Sequence, residues 1–265
     1  MFHGAYQEYD FTNSALDSQY HIDETKVHRF TVESQTPEET EPVTIEALYV
    51  GDFAQLQSDT ILLYLHGNAP GMQSFWEVTA ELANLGGAHR YGVAIYDYRG
   101  FGQSEGVTKD AATMAADLDA ILEWLEDQGV TADRLVYIAN SLGSLPAGPA
   151  AAGEARIPVK KLVWEVPQSS ADAIIQDATG LSLSASFMTS YTFDLKSDLE
   201  NYTGELLWMH GTEDETAPIE NARACVDACA GSYIVKKEYD GIGHDLRWGI
   251  GRTEWDGQIL DFILH

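Results

Sequence analysis

The stretch Arg134-Leu-Val-Tyr-Ile-Ala-Asn-Ser141-Leu-Gly143-Ser144 constrains this chain more than any other. Leu135 to Ala139 is an unbroken apolar run rich in β-formers, the pattern of a strand buried on both faces. It breaks into Asn140-Ser141-Leu142-Gly143, and a small-residue segment follows as far as Gly153. A buried strand that turns sharply into a helix sets its turn residue at the carboxyl edge of a sheet. With Ser141 at that turn, its hydroxyl stands clear while the N–H groups of the new helix point into the same space. The usual form of such an elbow is Gly-x-Ser-x-Gly, because flanking side chains would meet the strand and the helix. Here Ala139 stands where the first glycine would be and Gly143 is kept. Alanine costs little while its φ stays negative. The pentapeptide alone fits equally well a serine that merely caps a helix, so the rest of the chain must decide.

The remaining pattern supplies a sheet for that strand. Val27 to Val32 and Val43 to Val50 alternate apolar and polar residues, which predicts an antiparallel pair at a sheet edge. Thr60 to His66, Tyr91 to Tyr98, Lys161 to Val166, Glu205 to His210 and Ser232 to Tyr239 are further strands. Between and after them, 74–85, 110–128, 218–230 and 253–264 carry helical spacing, with Pro218 in a first turn. Strands alternating with helices predict an α/β fold, a mostly parallel central sheet covered on both faces. Residues 1–265 are expected to form a single domain of this kind, with 1–42 an irregular N-terminal segment and first strand. The rhythm breaks at 167–203, longer than a plain connection. Its apolar residues, Phe187 and Met188 among them, predict a small lid. Pro149 predicts a kink or a short helix after the elbow.

Charge narrows the partners. With 42 acidic against 15 basic residues the net charge is −27, which disfavours nucleic acid. Cys225 and Cys229 share a helical pattern without a histidine beside them, which fits two small buried thiols rather than a metal site. No apolar stretch approaches the length of a membrane span, and no signal peptide is visible. The chain is compatible with the cytoplasm or with export after removal of a leader.

A serine nucleophile requires a base, and the base requires an acid that fixes its tautomer. His210-Gly-Thr-Glu-Asp214 places Asp214 in a loop directly after a strand, and Gly241-Ile-Gly-His244 places a histidine in a glycine-flanked loop after the last one. Glu213, Glu215, Asp240 and Asp245 compete for the acid role, with Asp214 the better placed. His66 and His210 each end an apolar strand before glycine, which predicts structural roles in holding the loops.

Taken together, five ordered motifs resemble one family. His66-Gly-Asn-Ala69, Asp97-Tyr-Arg-Gly-Phe-Gly-Gln-Ser-Glu-Gly106, Asn140-Ser-Leu-Gly143, His210-Gly-Thr-Glu-Asp214 and Gly243-His244 are similar to those of α/β-hydrolases. More narrowly, they resemble small-lidded serine hydrolases of the serine aminopeptidase-like and depalmitoylase-like branch. The resemblance covers about residues 43 to 264. It implies a Ser141, Asp214 and His244 triad, and an oxyanion hole made by the backbone N–H groups of Asn68 and Leu142. It also implies a structural role for Asp97 to Gly100.

The resulting expectation is a carboxylesterase-like enzyme that acts on a small-molecule ester or acyl substrate through an acyl-enzyme intermediate. This chemistry needs neither metal nor cofactor. Met72, Phe75, Trp76, Phe187 and Met188 are the expected lining of an apolar substrate pocket. An aminopeptidase or thioesterase of the same fold, and a non-catalytic binding protein that has kept the fold, are the alternatives.

Overall fold

The wholly apolar runs become interior strands, as burial on both faces requires. The computed structural model describes residues 8–168 and 194–265. Among these, one eight-stranded sheet runs in the order β1-β2-β4-β3-β5-β6-β7-β8. Its strands are β1 (Val27–Ser34), β2 (Val43–Val50), β3 (Ile61–Leu65), β4 (Gly92–Tyr96), β5 (Leu135–Asn140), β6 (Lys161–Glu165), β7 (Glu205–Gly211) and β8 (Tyr233–Tyr239). The first two form the expected antiparallel pair at one edge, β2 runs antiparallel to β4, and the remaining pairings are parallel. Every residue of β3 and β4 is buried.

Side chains alternate across the sheet and feed two apolar layers. Ile61, Leu63 and Leu65 point into a layer completed by Leu118 of α2 (Ala111–Asp127), Leu145 of α3 (Ser144–Pro149), Leu199 of α4 (Leu195–Asn201) and Ile219 of α5 (Ile219–Ala228). Leu62 and Tyr64 point the other way, toward Ala80 of α1 (Trp76–Ala83), Leu246 of α6 (Leu246–Ile250) and Trp255 of α7 (Arg252–Leu264). α2 starts at a reciprocal cap: Asp110 Oδ1 accepts the Thr113 N–H at 2.9 Å, and Thr113 Oγ1 accepts the Asp110 N–H at 3.1 Å.

The helix after the elbow is short, as its prolines predict. α3 ends at Pro149, and the chain continues through a wide turn in which Gly153 takes a φ of +103°. Within the 167–203 insertion, α4 packs Leu195 and Leu199 into the core. Residues 169–193 of the expected lid, including Phe187 and Met188, lie outside the described residues. Cys225 is buried and Cys229 partly so, both as free thiols. No helix among the described residues is long and apolar enough to cross a membrane.

Candidate active site

β5 ends at Asn140, and Ser141 then takes a φ of +49°, the left-handed region that a residue with a Cβ rarely enters. Packing enforces the turn. A Cβ on Gly143 would overlap the carbonyl oxygen of Leu65, so only glycine lets the new helix pass this close to β3. Ala139 is a buried strand residue with negative φ, and its methyl group is accommodated. The Ser144 hydroxyl donates to the Ser141 carbonyl oxygen at 2.7 Å, and the Gln168 N–H donates to the same oxygen at 3.3 Å. The strained residue is therefore held through its own carbonyl.

Two loops at the ends of β7 and β8 are sewn together next to it. The Thr212 N–H donates to Tyr239 O and the Glu213 N–H to Ile242 O, both at 2.9 Å. The Gly241 N–H donates to Thr212 Oγ1 at 3.0 Å. A side chain at Gly211 would overlap Ile242 O and force these loops apart. The outcome is a line of three side chains: His244 Nε2 stands 2.9 Å from Ser141 Oγ, and His244 Nδ1 stands 2.8 Å from Asp214 Oδ2.

Asp214 is held as firmly as the ring it faces. Its Oδ1 accepts the N–H groups of Thr216 at 2.9 Å and Ala217 at 2.8 Å. Its Oδ2 also lies 3.2 Å from His210 Nε2. The Trp208 indole donates to His210 Nδ1 at 3.3 Å, so Nε2 of that ring carries the hydrogen it offers to Ala217 O at 2.8 Å and to Asp214. Burial pushes the Asp214 carboxyl up, but the bonds from His210 and His244 outweigh it and hold the group well below the usual carboxylate range. His210 thus supports the acid loop, as its position before a glycine predicts.

The loop after β3 borders the elbow from the other side. A Cβ on Gly67 would lie 2.6 Å from Asn140 Oδ1 and 3.5 Å from Ser141 Cβ, which sets Asn68, the next residue, beside the Ser141 turn. His66 is fully buried, with Nδ1 donating to Gly67 O at 2.7 Å, and burial pushes its pKa down to about 4. Its ring is neutral and structural. Asp97 receives the Met72 N–H, and Arg99 is locked between Asp117 and Glu39. Both serve to hold loops, which is the role their motif implies.

A cleft of about 280 Å³ opens beside His244. Of the residues expected to line a substrate pocket, Phe75 borders this cleft, and Met72 and Trp76 do not. Met72 is fully buried in the core, and the Trp76 indole turns toward the N-terminal segment to donate to Thr12 O at 2.8 Å. The described walls are also more polar than an apolar pocket: Asn140, Glu165, Glu77 and Arg247 line them together with Trp248. Glu165 reaches this place because β6 pairs in register with β5, setting Glu165 opposite Asn140. It is buried, with Oε1 accepting the Trp255 indole N–H at 3.0 Å, and burial raises its pKa against the pull of that bond and of the Asn140 side chain. The sequence did carry a signal for it, a lone carboxylate closing an otherwise apolar strand at the sheet's carboxyl edge.

A family model described as the alpha/beta hydrolase fold matches residues 60–181, from the start of β3 past the elbow. The fold is similar to that of the esterase Pf2001 of Pyrococcus furiosus, at a TM-score of 0.70 and 17% identity over 89% of this chain and 91% of that one. The chain has the α/β-hydrolase fold. Among curated relatives, this chain is 25% identical over 171 residues to the uncharacterized protein YfhR of Escherichia coli O157:H7, covering 61% of this chain and 55% of that protein. It is likewise 25% identical over 172 residues to alpha/beta hydrolase domain-containing protein 17B of Xenopus laevis, covering 63% of this chain and 54% of that protein. The chain spans about half the length of the curated relatives it matches.

Proposed function

We propose that this chain is a serine hydrolase of the α/β-hydrolase family that cleaves carboxylic esters through an acyl-enzyme intermediate. The single observation that carries the reading is the continuous pair of hydrogen bonds from Ser141 Oγ to His244 Nε2, 2.9 Å, and from His244 Nδ1 to Asp214 Oδ2, 2.8 Å. In the first half-reaction Ser141 Oγ bonds to the substrate carbonyl carbon while its proton passes to His244 Nε2, and Asp214 stabilises the imidazolium. The backbone N–H groups of Leu142 and Asn68 receive the oxygen that becomes negative. The carbon–oxygen bond to the alcohol then breaks, and the alcohol leaves with the proton from His244. Water repeats the sequence on the acyl carbon, giving up a proton to His244, and the acid departs as Ser141 regains its hydrogen.

The carboxylates of Glu77 and Glu165 on the cleft wall favour a second reading, in which the acyl group carries an amine and the scissile bond is an amide. Labelling with a fluorophosphonate probe tests the common core of both. The native protein is expected to react and Ser141→Ala to be inert; a folded native protein that refuses the probe would favour the binding-protein alternative. Rates on aryl esters against aminoacyl amides then separate the two substrates, and faster amide cleavage would overturn the ester preference.

A further inference from the structure

The loop that carries Asn68 is pinned by a segment far away in sequence. Residues 9–12 lie across it as a strap. The Tyr9 hydroxyl donates to Asp97 Oδ2 and accepts the Gln103 N–H at 2.7 Å, while the other Asp97 oxygen accepts the Met72 N–H. A chain of bonds therefore runs from the strap through a buried carboxylate into the loop. The fit at the joint is tight: a Cβ on Gly71 would lie 3.0 Å from Asp97 Oδ1, and one on Gly102 would overlap the Asp97 carboxylate. Two more bonds secure the strap, from the Asp10 N–H to Gln73 Oε1 and from the Trp76 indole to Thr12 O, each 2.8 Å. Phe11 packs between the rings of Tyr9 and Trp76, with 5.4 Å between centroids on each side.

We propose that Tyr9 is a positioning residue for the oxyanion: through Asp97 and Met72 it holds the 67–72 loop, and with it the Asn68 amide, where the developing charge will sit. The proposal rests on the assignment of Asn68 to the oxyanion hole. The loop reads Gly-Asn-Ala-Pro-Gly-Met, and a segment with two glycines in six residues has little stiffness of its own. A preorganised donor is effective only when it is already in place, and a displacement of about 1 Å is enough to cost a large factor in rate. Tyrosine suits the joint because its hydroxyl donates to the carboxylate and accepts from the backbone at once. Phenylalanine would fill the same space and make neither bond.

The test is Tyr9→Phe in the full chain, with kcat and KM measured on p-nitrophenyl butyrate, thermal unfolding recorded, and the reactive fraction titrated to its end point with a fluorophosphonate. The expected result is kcat lower by roughly tenfold or more, with KM within about twofold and a fully titratable Ser141. An unchanged kcat with full titration overturns the proposal, as does a lower titrated fraction with an unchanged rate per labelled site, since that pattern marks a purely structural tyrosine. A native protein that never labels at Ser141 instead sinks the underlying hydrolase reading. Should Tyr9→Phe not fold, Gln73→Ala cuts the adjacent Asp10 bond near the surface. A loss in kcat of roughly two- to fivefold is then expected, and an unchanged kcat overturns the proposal.

Discussion

His244 Nδ1 lies 2.8 Å from Asp214 Oδ2, and the other oxygen of that carboxylate is taken by the N–H groups of Thr216 and Ala217. The acid is fixed by backbone before it meets the imidazole, so the ring is held in the tautomer that leaves Nε2 free to accept from Ser141. Asp214→Asn would keep the shape and lose the acceptor charge, and kcat/KM is expected to fall by about 10³–10⁴. The linkage has a defined sign. The folded pKa is depressed below the unfolded value of 3.8, so the stability Asp214 contributes is fully present above that value. It is lost only as the pH falls further, through the folded value. Urea titrations should show the advantage of the native protein over Asp214→Asn shrinking as the pH falls below 3.8. An advantage that stays unchanged well below that pH would show that the carboxyl is not held below its usual range.

Ser141 holds a φ of +49°, and a left-handed residue with a Cβ costs about 1–2 kcal/mol. In the proposed reaction the hydroxyl carries the chemistry, whereas the strain comes from the Cβ. Ser141→Ala removes the hydroxyl and keeps the strain; Ser141→Gly removes both. Glycine is therefore expected to be the more stable of the two by about 1 kcal/mol. Both variants should be inert to the fluorophosphonate. Equal unfolding midpoints would show that the elbow relaxes once its serine is gone.

Arg99 is almost completely buried and makes its bonds in three directions. Its Nε donates to Asp117 Oδ1 at 2.9 Å, Nη1 to Glu39 at 2.7 and 2.9 Å, and Nη2 to Ser34 Oγ at 2.8 Å. These partners belong to α2, to the end of β1 and to the connection that follows it, so the side chain ties the 97–106 loop to all three. Arg99→Ala would leave Asp117 as an uncompensated buried charge, and a loss of about 3–5 kcal/mol is expected. Arg99→Lys restores the charge but not the fork, and should recover only part of the loss. Chemical denaturation of the three proteins measures this, and an Arg99→Ala protein as stable as the native one would show that Asp117 is taken up by protons or solvent.

The motifs at the strand ends are legible in the sequence because each is local. A buried strand, a glycine and a functional side chain follow one another within five or six residues, and chain order sets which loop meets which. The helix break at Pro149 is legible for the same reason. What stays hidden depends on pairing between distant segments. Glu165 faces the cleft only because β6 lies in register beside β5, and Trp255 reaches it from α7, 90 residues on. Size and chain position alone put Trp76 in the pocket. Its orientation is decided instead by Thr12, which no periodicity connects to it. Residues 9–12 carry no motif at all, and their importance appears only where Tyr9 meets Asp97 across 88 positions.

That last contact has a consequence for stability against pH. Asp97 takes its hydrogen bonds from the neutral donors Tyr9 and Met72, and the imidazole nearest to it, His66 at 3.7 Å, is itself uncharged because burial pushes its pKa down to about 4. Burial therefore dominates and pushes the Asp97 carboxyl up to about 7. Between pH 4 and 7 the folded protein holds a proton that the unfolded chain releases, so stability falls as the pH rises through that window. Asp97→Asn cannot titrate. The native protein is expected to lose roughly 2–4 kcal/mol relative to Asp97→Asn between pH 4 and pH 8 in urea titrations. Glu81, also raised to about 7 by burial, titrates in both proteins and cancels in the difference. Tyr9→Phe removes a donor that favours the carboxylate, so in that protein the fall should extend to higher pH than in the native one. A difference between the native protein and Asp97→Asn that stays flat with pH would show that Asp97 is ionised throughout, and that the bonds from Tyr9 and Met72 together are enough to keep a buried carboxylate charged.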